Sequence, residues 1–449
     1  MFWQQFCPLE SNQRKFILMR LKNKKVLVYG LGDSGRAVIK VLRNHDAYVS
    51  FYDDNIKYFE YVGFERNPQD KQYDFVVVSP GIKCIGNKLL AEFEKKNIPV
   101  ISEIDFAYLL CKGKVIAVTG TNGKTTVCML TQKILKTAGY ETFLCGNIGL
   151  PFSAICEKTT KKSVVVCEVS NFQLEYSKYF RADVVCVLNI KPDHLDRHGS
   201  FEEYKKTKSK IAQNLKHKDV LILNLDDENA KRISNFKHTQ YFSKNKMKKG
   251  IYVCKDRIYV NKKPVLKTEN ITLKGDKNLE NVLACVSICS HFKVTPNDMA
   301  RAVSSFSPAD HRMQIVGVVG GVKYVDDSKA TNVASTVACV EAFKNESLIL
   351  LMGGLGKDID YAELFSLNFP IKEVICFGHD REKINASAQK YAYRTAIFEK
   401  FADAVRYSKR IAEEKDCVLL SPACASFDEF SSYAERGEIF KSLIFEDMK

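Results

Sequence analysis

The stretch VIAVTGTNGKTTVCML, residues 115–130, passes from an apolar, β-branched run into a Gly/Asn loop and then into a helical pattern. We expect a strand that ends at Gly120 and a helix that opens near Thr125. Such a junction directs unbonded backbone N–H groups and the positive end of a helix at one point, where a phosphate group is stabilised. The stretch therefore predicts a phosphate-binding loop. The alternative is an ordinary strand–turn–helix connection.

The side chains of this loop favour a nucleotide ligand. Lys124 supplies a mobile positive charge, and Thr125 stands where the last residue of a Gly-Lys-Ser/Thr loop gives its hydroxyl to Mg²⁺. The common nucleotide loop has a glycine five residues before Gly123, where this chain has Val118. The match is therefore to a shorter Gly-x-x-Gly-Lys-Thr form, and we interpret it as an ATP-type loop.

Length and composition indicate a soluble globular protein. The chain has 449 residues, of which 45% are hydrophobic and 27% charged, which predicts two to four domains with sizeable cores. No apolar run approaches the roughly 20 residues that a membrane span needs. The first 25 residues mix charges into short apolar pieces and make a poor signal peptide. We expect a cytoplasmic protein without a membrane span.

The fifteen cysteines and the net charge of +15 each admit two interpretations. The cysteines are scattered, many inside apolar runs such as VVVCEV, which is typical of small buried hydrophobes rather than of a disulfide scaffold. No Cys-x-x-Cys pair or zinc-like His cluster is present in the sequence, so we expect no structural metal. The positive charge favours either nucleic acid or a polyanionic small substrate. Lysines such as those of 244–250 lack interleaved aromatics, and we expect no nucleic-acid partner.

The chain alternates strands and helices in three regions. The predicted strands of the first region are 26–32, 48–54 and 75–81; those of the second are 115–120, 163–170, 182–190 and 219–225; those of the third are 322–328, 347–354, 373–379 and 417–422. The second region ends with a helical stretch near Asn281–Phe292. This pattern predicts an α/β fold of three domains, with boundaries at 1–103, 104–309 and 310–449.

A glycine-rich turn follows the first predicted strand. The segment GLGDSG, Gly30 to Gly35, is followed by Asp53 at the end of the next strand, which satisfies the dinucleotide fingerprint. Alone it indicates an NAD-dependent oxidoreductase. The same geometry also holds the pyrophosphate and ribose of other nucleotides, and the chain has no evident dehydrogenase constellation.

Polar side chains follow two strands of the second region. Glu168 ends a buried strand. The segment NIKPDHLDRHGS, residues 189–200, follows the next strand and gathers Asn189, Asp193, His194, Asp196 and Arg197. Ligands of parallel α/β sheets bind at such strand ends, and a carboxylate at position 168 is suited to hold Mg²⁺ beside Thr125. Singly, each residue also fits a capped turn or a surface ion pair. Together they predict a metal–nucleotide site.

The segment SFEEYKKTKSKIAQNL, residues 200–215, has a helical period. At 100° per residue one stripe contains Phe201, Tyr204, Lys208, Ile211 and Leu215, whereas Lys206 and Lys210 point away. Lys208 is therefore the lysine predicted to face inward. The alternative is a solvated basic face.

The chain resembles the Mur ligases over about residues 20–449, in the motifs TGTNGKTT, GNIGLP, EVSNFQL, DHLDRH, HRMQIV, DDSKATN and SPACASFDEFSSYAERGEIF. The resemblance implies a Rossmann-like N-terminal domain, a central P-loop-type mononucleotide-binding ATPase domain and a Rossmann-like C-terminal domain. The final motif and the first domain resemble the member that adds D-glutamate to UDP-N-acetylmuramoyl-L-alanine. Folylpolyglutamate synthetase shares the ATP loop, but we do not expect it to begin with a Gly30-x-Gly32 nucleotide domain.

The resemblance implies an ATP-dependent, monomeric amide ligase of peptidoglycan synthesis with two Mg²⁺ sites. Its substrate carboxylate takes the γ-phosphoryl group of ATP, and the amine of D-glutamate attacks the resulting acyl phosphate. Two anionic substrates and a triphosphate require metal and lysine charge, with which the basic composition is consistent. An NAD-dependent enzyme and a nucleic-acid-binding ATPase remain the alternatives.

The resemblance also assigns site residues. The implied ATP contacts are Gly120, Thr121, Asn122, Gly123, Lys124, Thr125, Thr126, Asn278, Asn281, Arg312 and Asp327. The implied UDP-substrate contacts are Gly32, Asp33, Ser34, Asp53, Asp54, Ser79, Asn147, Ser170 and Gln173. The implied D-glutamate contacts are Lys329, Thr331, Lys357, Ser426 and Phe427. The implied catalytic residues are Lys124, Glu168, His194 and carbamylated Lys208, and the implied metal ligands are Thr125, Glu168, His194 and Lys208.

Two of these assignments keep an alternative. Relatives carry a carbamylated lysine after the Asp-His motif, and the spacing here admits Lys206 as well as Lys208. Lys357 also fits a solvated loop lysine. In addition, Asn171 stands where the family usually has a second serine, so the local contact there differs from the family pattern.

Overall fold

The computed structural model describes residues 21–55, 63–273, 275–307, 310–356 and 360–446, without the side chain of Asp196. Lys357, a predicted D-glutamate contact, lies outside the described residues. The chain forms two compact units. The first unit contains the described residues up to Ile271 together with Glu280–Ser305, and the second contains Thr272–Leu279 and the described residues from Phe306 onward.

The first unit begins with a sheet of four parallel strands in the order β2-β1-β3-β4. The strands are Lys25–Tyr29 (β1), Tyr48–Tyr52 (β2), Phe75–Val78 (β3) and Val100–Ser102 (β4), and the helices are Asp33–Asn44, Lys88–Lys95 and Glu103–Leu110. Within this sheet, β2 lies on one side of β1 and β3 lies on the other. The carboxyl ends of β1 and β3 therefore border the kind of crevice in which α/β sheets bind ligands.

The second sheet of this unit has nine strands in the order β13-β12-β11-β10-β9-β8-β5-β7-β6. They are Lys114–Thr119 (β5), Thr142–Gly146 (β6), Val164–Glu168 (β7), Val184–Val187 (β8), Val220–Asn224 (β9), Thr239–Ser243 (β10), Ile251–Cys254 (β11), Arg257–Val260 (β12) and Lys263–Lys267 (β13). The strands from β6 to β11 in this order are parallel, whereas β12 and β13 are antiparallel to their neighbours. The outermost strand, β13, carries lysine at both ends.

The central position of β5 explains its sequence. It pairs with β7 on one side and β8 on the other, and Val115 to Thr119 are all buried. A parallel strand covered on both faces needs a continuous apolar run rather than an alternating one. The predicted strand 115–120 is therefore confirmed, and its carboxyl end opens into the phosphate-binding loop.

Helices lie between or after the strands of the second sheet. They span Lys124–Thr137, Asn171–Leu174, Leu195–His198, Phe201–Ser209 and Pro296–Ser304. The helix predicted near Asn281–Phe292 spans Asp276–Cys289. Both sheets of the first unit contribute to one hydrophobic core, which contains Val28 and Val77 from the first sheet and Ala117 and Val187 from the second.

The second unit contains one sheet of six strands in the order β14-β15-β19-β16-β17-β18. The strands are Gln314–Val319 (β14), Val322–Asp326 (β15), Ser347–Gly353 (β16), Ile371–Phe377 (β17), Thr395–Phe398 (β18) and Asp416–Ala423 (β19); the helices are Val333–Ala342, Ala362–Phe365, Arg381–Lys390, Phe401–Ile411 and Tyr433–Ile444. Only the β14–β15 pair is antiparallel. Alternate residues of β16 enter two separate cores, Leu348 and Leu350 in one and Ile349 and Leu351 in the other. The sheet is thus covered on both faces, as in a Rossmann-like fold.

The predicted α/β class is confirmed by the three sheets. The prediction for the cysteines also holds in the described part of the chain, where they are free thiols and all but Cys84 and Cys254 are buried. No helix among the described residues is long and apolar enough to cross a membrane.

Candidate active site

The phosphate-binding loop lies between β5 and the helix Lys124–Thr137. Gly123 is the N-cap residue of this helix and has a φ of +85°, a left-handed conformation that glycine adopts without strain. A Cβ atom at this position would also collide with Oδ1 of Asn281. Glycine therefore allows both the turn and the close approach of Asn281, a predicted ATP contact. The first N–H groups of the helix open at this turn, which is the geometry that binds phosphate.

Asn189, which the sequence analysis placed in the polar cluster after the strand, and Tyr204, to which it gave no role at the loop, hold the loop in place. Asn189 accepts a hydrogen bond from the Asn122 N–H (2.9 Å) and donates one to the Asn122 carbonyl (3.1 Å). The hydroxyl of Tyr204 lies 3.0 Å from Oγ1 of Thr121. Asn189 follows β8, the strand next to β5, so its position at a neighbouring strand end is the signal that identifies it. The contact of Tyr204 joins distant parts of the chain and has no local signal.

Lys124 and Lys208 meet at the loop. Nζ of Lys124 donates to the carbonyl oxygens of Gly120 (2.8 Å) and Thr121 (2.7 Å), and Nζ of Lys208 donates to that of Gly120 (3.2 Å). Lys208 is 1% exposed, so the prediction that it faces inward is confirmed. Burial, and then the neighbouring Lys124, lower the pKa of Lys208 well below its ordinary value, whereas Asp193 and Glu168 act against this shift. The side chain of Lys206 is 73% exposed and pairs with Glu203, which leaves Lys208 as the inward lysine.

Thr125 and Glu168 form an oxygen-rich pair beside the loop. Oγ1 of Thr125 donates to Oε2 of Glu168 (2.9 Å), and Nδ2 of Asn147 donates to Oε1 (2.8 Å). Glu168 ends β7 and is 2% exposed, and Thr125 and Thr126 are also buried. A hydroxyl and a carboxylate this close are hard oxygen donors of the type that Mg²⁺ prefers. The residues present therefore fit a magnesium ion at this point.

His194 lies on the loop that follows β8. Its backbone is left-handed (φ +52°), its ring packs edge-on against Phe172 with the ring centres 4.7 Å apart, and its Nε2 lies 3.5 Å from Oδ2 of Asp193. In the described part of the chain, no group of three or more His, Cys, Asp or Glu side chains is arranged to hold a metal. Of the metal ligands that the resemblance implies, only Glu168 and His194 belong to these residue types. A third anionic or imidazole ligand would require modification of Lys208.

A cavity of about 520 Å³ lies at the carboxyl ends of β1 and β3. It gathers most of the residues predicted to contact the UDP-substrate, namely Gly32, Asp33, Ser34, Asp53, Ser79, Asn147 and Gln173. The two others do not line it: Asp54 accepts a hydrogen bond from the Tyr29 hydroxyl (2.8 Å), and Ser170 caps the short helix Asn171–Leu174. The volume lies within the range of small-ligand sites.

The glycine-rich turn shapes this cavity. The hydroxyl of Ser79 donates to the Gly30 carbonyl (2.7 Å), and the carboxylate of Asp53 accepts from the Leu31 N–H (2.6 Å). A Cβ at Gly35 would collide with the Gly30 carbonyl oxygen. The third glycine of the motif thus permits close packing of the turn on the first helix.

In the second unit, Asp327 is a buried carboxylate between β15 and β19. It accepts hydrogen bonds from the Met313 N–H (3.1 Å) and the Ser421 hydroxyl (2.9 Å). Burial raises the pKa of Asp327 to about 6, although the charge of Arg312 opposes the rise. Nε of Arg312 is buried and has no hydrogen-bond partner among the described residues.

The predicted ATP contacts Asn278 and Asn281 belong to different units, although one helix carries both. Nδ2 of Asn278 donates to Sδ of Met313 (3.6 Å), and both residues line a cavity of about 350 Å³ in the second unit. Asn281 lies against Gly123 in the first unit.

The residues predicted to contact D-glutamate follow the strands β15 and β19. Nζ of Lys329 lies 5.1 Å from the ring centre of Tyr433, a residue that the sequence analysis did not assign. Thr331 is half-buried, Ser426 is buried and Phe427 is 69% exposed. The buried Arg436 beneath these loops was also not assigned, although it lies inside the final quoted motif.

Comparison of the sequence and the fold with known proteins identifies the family of this chain. The sequence models of the Mur ligase middle domain and of the Mur ligase glutamate ligase domain match residues 118–289 and 311–424. UDP-N-acetylmuramoylalanine–D-glutamate ligases from Caldicellulosiruptor bescii and Thermoanaerobacter sp. are 36% and 34% identical to the chain, over 95% of its length and 98% and 99% of theirs. MurF ligase from Thermotoga maritima in complex with ADP is similar in fold, with a TM-score of 0.61 and 17% identity over 95% of this chain and 96% of that one. The chain belongs to the Mur ligase family.

Proposed function

We propose that this chain is an ATP-dependent amide ligase that joins D-glutamate to UDP-N-acetylmuramoyl-L-alanine in peptidoglycan-precursor synthesis. The observation that carries the proposal is the loop after β5, where Lys124 and Thr125 open a helix beside the buried carboxylate of Glu168. The names of relatives that match 95% of the chain support the choice of substrates.

The reaction has two steps. A carboxylate oxygen of the L-alanyl group attacks the γ-phosphorus of ATP, the bond to the bridging oxygen of ADP breaks, and an acyl phosphate forms. The amine nitrogen of D-glutamate then attacks the carbonyl carbon, the bond to phosphate breaks, and the nitrogen loses a proton to solvent. Amide, ADP and phosphate are the products. Both steps concentrate negative charge, so positive groups fixed in advance lower the barrier.

The first unit supplies the groups for the triphosphate. The N–H groups at the start of the helix Lys124–Thr137 and the backbone from Gly120 to Gly123 hold phosphate oxygens. The Lys124 ammonium, which bonds to two loop carbonyls, moves from them to the phosphates when ATP binds. Thr126, Thr121 and Asn122 keep the loop in shape.

Thr125 and Glu168 are the groups that hold Mg²⁺ at the loop. When bound, the ion neutralises charge on the phosphates. The hydrogen bond from Asn147 fixes one carboxylate oxygen of Glu168, which leaves the other directed at Thr125. We further propose a second Mg²⁺ site, held by Glu168, His194 and carbamylated Lys208.

Burial and charge support the carbamate at Lys208. A free lysine has a pKa of about 10.4, but the buried amine of Lys208 lies beside the Lys124 ammonium, and both effects favour its neutral form. A neutral amine reacts with CO₂: the nitrogen bonds to the carbon and one proton leaves. The resulting anion lies next to Lys124, so a repulsive pair becomes an attractive one.

The cavity at β1 and β3 takes the UDP moiety of the first substrate. Its backbone N–H groups at Gly32, Asp33 and Ser34 lie where a diphosphate is bound in nucleotide folds. Asp53 and Ser79 hold the turn, and Asn147 and Gln173 complete the lining. Asp54 and Ser170 act on this site through Tyr29 and Gln173, with which they are hydrogen-bonded.

The second unit supplies the remaining contacts. Asn278, Arg312 and Asp327 contact the nucleoside and phosphate parts of ATP. Lys329 and the hydroxyls of Thr331 and Ser426 contact the amino acid, and Phe427 covers it. The assignment of Lys357 remains a prediction from the sequence.

The coarse organisation follows from the same proposal. We propose the domain boundaries 1–103, 104–309 and 310–449, a monomer as the working form, and the cytoplasm as the location. ATP and UDP-linked precursors are the required substrates, and no nucleic acid takes part.

Phosphate release by the purified full chain tests this function. With ATP, Mg²⁺ and UDP-N-acetylmuramoyl-L-alanine present, a panel that includes D-glutamate and L-glutamate is added one amino acid at a time. We expect release only in the complete mixture with D-glutamate. NAD binding with hydride transfer would instead support the oxidoreductase, and stimulation by DNA or RNA would support the nucleic-acid-binding ATPase.

A further inference from the structure

Arg436 is a fully buried arginine near the start of the helix Tyr433–Ile444. Its Nε donates to the hydroxyl of Ser328 (2.9 Å), and its Nη2 donates to the carbonyls of Ser328 (2.8 Å) and Cys424 (3.1 Å). Its Nη1 donates to the carbonyls of Gly353 (3.3 Å) and Ala425 (3.5 Å). One guanidinium thus satisfies acceptors on three separate chain segments.

The three segments end neighbouring strands of one sheet. Ser328 follows β15, Gly353 ends β16, and Cys424 follows β19, and these strands lie side by side in the order β15-β19-β16. The guanidinium therefore ties together the carboxyl ends of the three central strands. Parallel sheets bind their ligands at this end.

The same segments carry the residues proposed for the amino acid. Lys329 and Thr331 lie one and three residues after Ser328, and Ser426 and Phe427 lie one and two residues after Ala425. Leu355 and Ala425 also exchange backbone hydrogen bonds of 2.8 and 3.1 Å, so the segment after Gly353 is joined to that before Ser426. A shift of the guanidinium would move these loops together.

The acceptors of Arg436 are unusual for a buried charge. They are four carbonyls and one hydroxyl, and no carboxylate of residues 310–356 or 360–446 forms an ion pair with the guanidinium. A buried charge is costly unless its hydrogen bonds are made. Lysine has three donors on a single nitrogen and does not reproduce the planar fork of arginine. The position therefore requires guanidinium geometry and not only positive charge.

We propose that Arg436 is a positioning residue for the amino-acid substrate: it fixes the loops after β15, β16 and β19 and so sets the affinity for the incoming amine without contacting it. This inference rests on the proposed function, in which Lys329, Thr331, Ser426 and Phe427 contact the amino acid. A residue with only a structural role would change all kinetic constants and the stability together. A positioning residue changes the KM for one substrate and leaves the KM values for the others nearly unchanged.

Steady-state kinetics of Arg436→Lys, measured with each of the three substrates varied in turn, test the proposal. We expect the KM for the amino acid to rise at least about tenfold, while the KM for the UDP-substrate, whose cavity lies in the first unit, stays within about twofold. Arg410→Lys is the matched control, because Arg410 is an exposed arginine of the same unit. An unchanged KM for the amino acid in Arg436→Lys overturns the proposal, as does an equal loss in all constants.

Ser328→Ala keeps the test decisive if the Arg436 variants do not fold. It removes the acceptor of Nε and leaves the four carbonyls, so we expect a smaller rise of the same KM, about two- to fivefold. No rise in this variant counts against the proposal. The wild type separates the two hypotheses: if it does not use D-glutamate, the proposed function is wrong, and the Arg436 comparison is made with the amino acid that it uses best.

Discussion

Lys124 and Lys208 donate hydrogen bonds to one acceptor, the carbonyl oxygen of Gly120, at 2.8 and 3.2 Å. Burial lowers the pKa of Lys208, and the repulsion between two ammonium groups this near each other lowers it further. The charge of Lys124 in the phosphate-binding loop is thus coupled to the charge of Lys208 in the helix Phe201–Ser209. A change of charge on Lys208 therefore acts directly on Lys124, the residue that we propose binds the phosphates of ATP.

Lys208→Ala tests the carbamate. We expect a loss of turnover on the order of 100-fold, because the variant lacks an anion beside Lys124 and the metal. Formate or acetate should restore part of the activity, since either carboxylate can occupy the vacated space. Phosphate release is the measurement, and Lys206→Ala, an exposed lysine two residues away, is the control. Full activity without added carboxylate, or rescue only by amines, would contradict the carbamate.

Lys124→Ala separates phosphate binding from substrate binding. Turnover should fall on the order of 1000-fold, because no other side chain of the loop carries a positive charge. Calorimetric binding of the UDP-substrate should stay unchanged, since Lys124 does not line the cavity at β1 and β3. Lys136→Ala alters an exposed lysine in the last turn of the same helix and should behave as wild type. Normal turnover in Lys124→Ala would contradict the hypothesis that this loop binds phosphate.

Asn147 joins the cavity at β1 and β3 to Glu168, because it lines the cavity and donates to Oε1 of Glu168 at 2.8 Å. A hydrogen bond to a charged group contributes about 1.5–3 kcal/mol. Asn147→Ala should therefore raise the KM for the UDP-substrate about tenfold and also lower kcat. Initial rates at varied substrate and Mg²⁺ measure both, with the exposed Asn245→Ala as control. A variant with a changed KM and an unaltered kcat would show that the Glu168 contact has no role.

Asp327 gives stability a pH dependence of known sign. Its pKa in the folded protein is about 6 against an ordinary 3.8, so the folded state binds the proton more tightly than the unfolded state. Stability is therefore lost as the pH rises from about 4 through 6. Asp327→Asn removes the charge and should be more stable than wild type at pH 7.5 by roughly 1–3 kcal/mol, with no difference near pH 4. Thermal unfolding across this range measures it, and a difference independent of pH would exclude the titration.

Local patterns were sufficient to predict the centre of the site. The phosphate loop, the strand end at Glu168 and the inward face of Lys208 each depend on residues adjacent in sequence. The prediction that Lys210 points away was only partly right, because its Nζ donates to the Glu175 carbonyl (2.6 Å) and the side chain is half-buried. The helix tightens to a 3₁₀ turn at Lys210–Ala212, which changes the angle between successive side chains.

Contacts between distant residues had no such signal. Tyr204 reaches Thr121 across 83 positions, and Arg436 reaches Ser328 across 108. The strands β10 to β13 also lay outside the predicted set. The turn between β12 and β13 uses Asn261 and Lys262, both with positive φ, instead of the glycine that marks most such turns. The fold class could therefore be predicted, whereas the extent of the second sheet could not.

The outermost strand of that sheet has a consequence for the protein in solution. Unpaired strand edges are templates for aggregation, and lysine on the edge opposes it. Residues 244–267 contain nine Lys or Arg against one Asp, and Lys262, Lys263 and Lys267 are exposed at β13. Two copies that approach through this edge repel each other over about 10 Å at 0.1 M salt. The resistance of the protein to self-association should therefore depend on ionic strength, and concentrated stocks should associate as the salt concentration is raised.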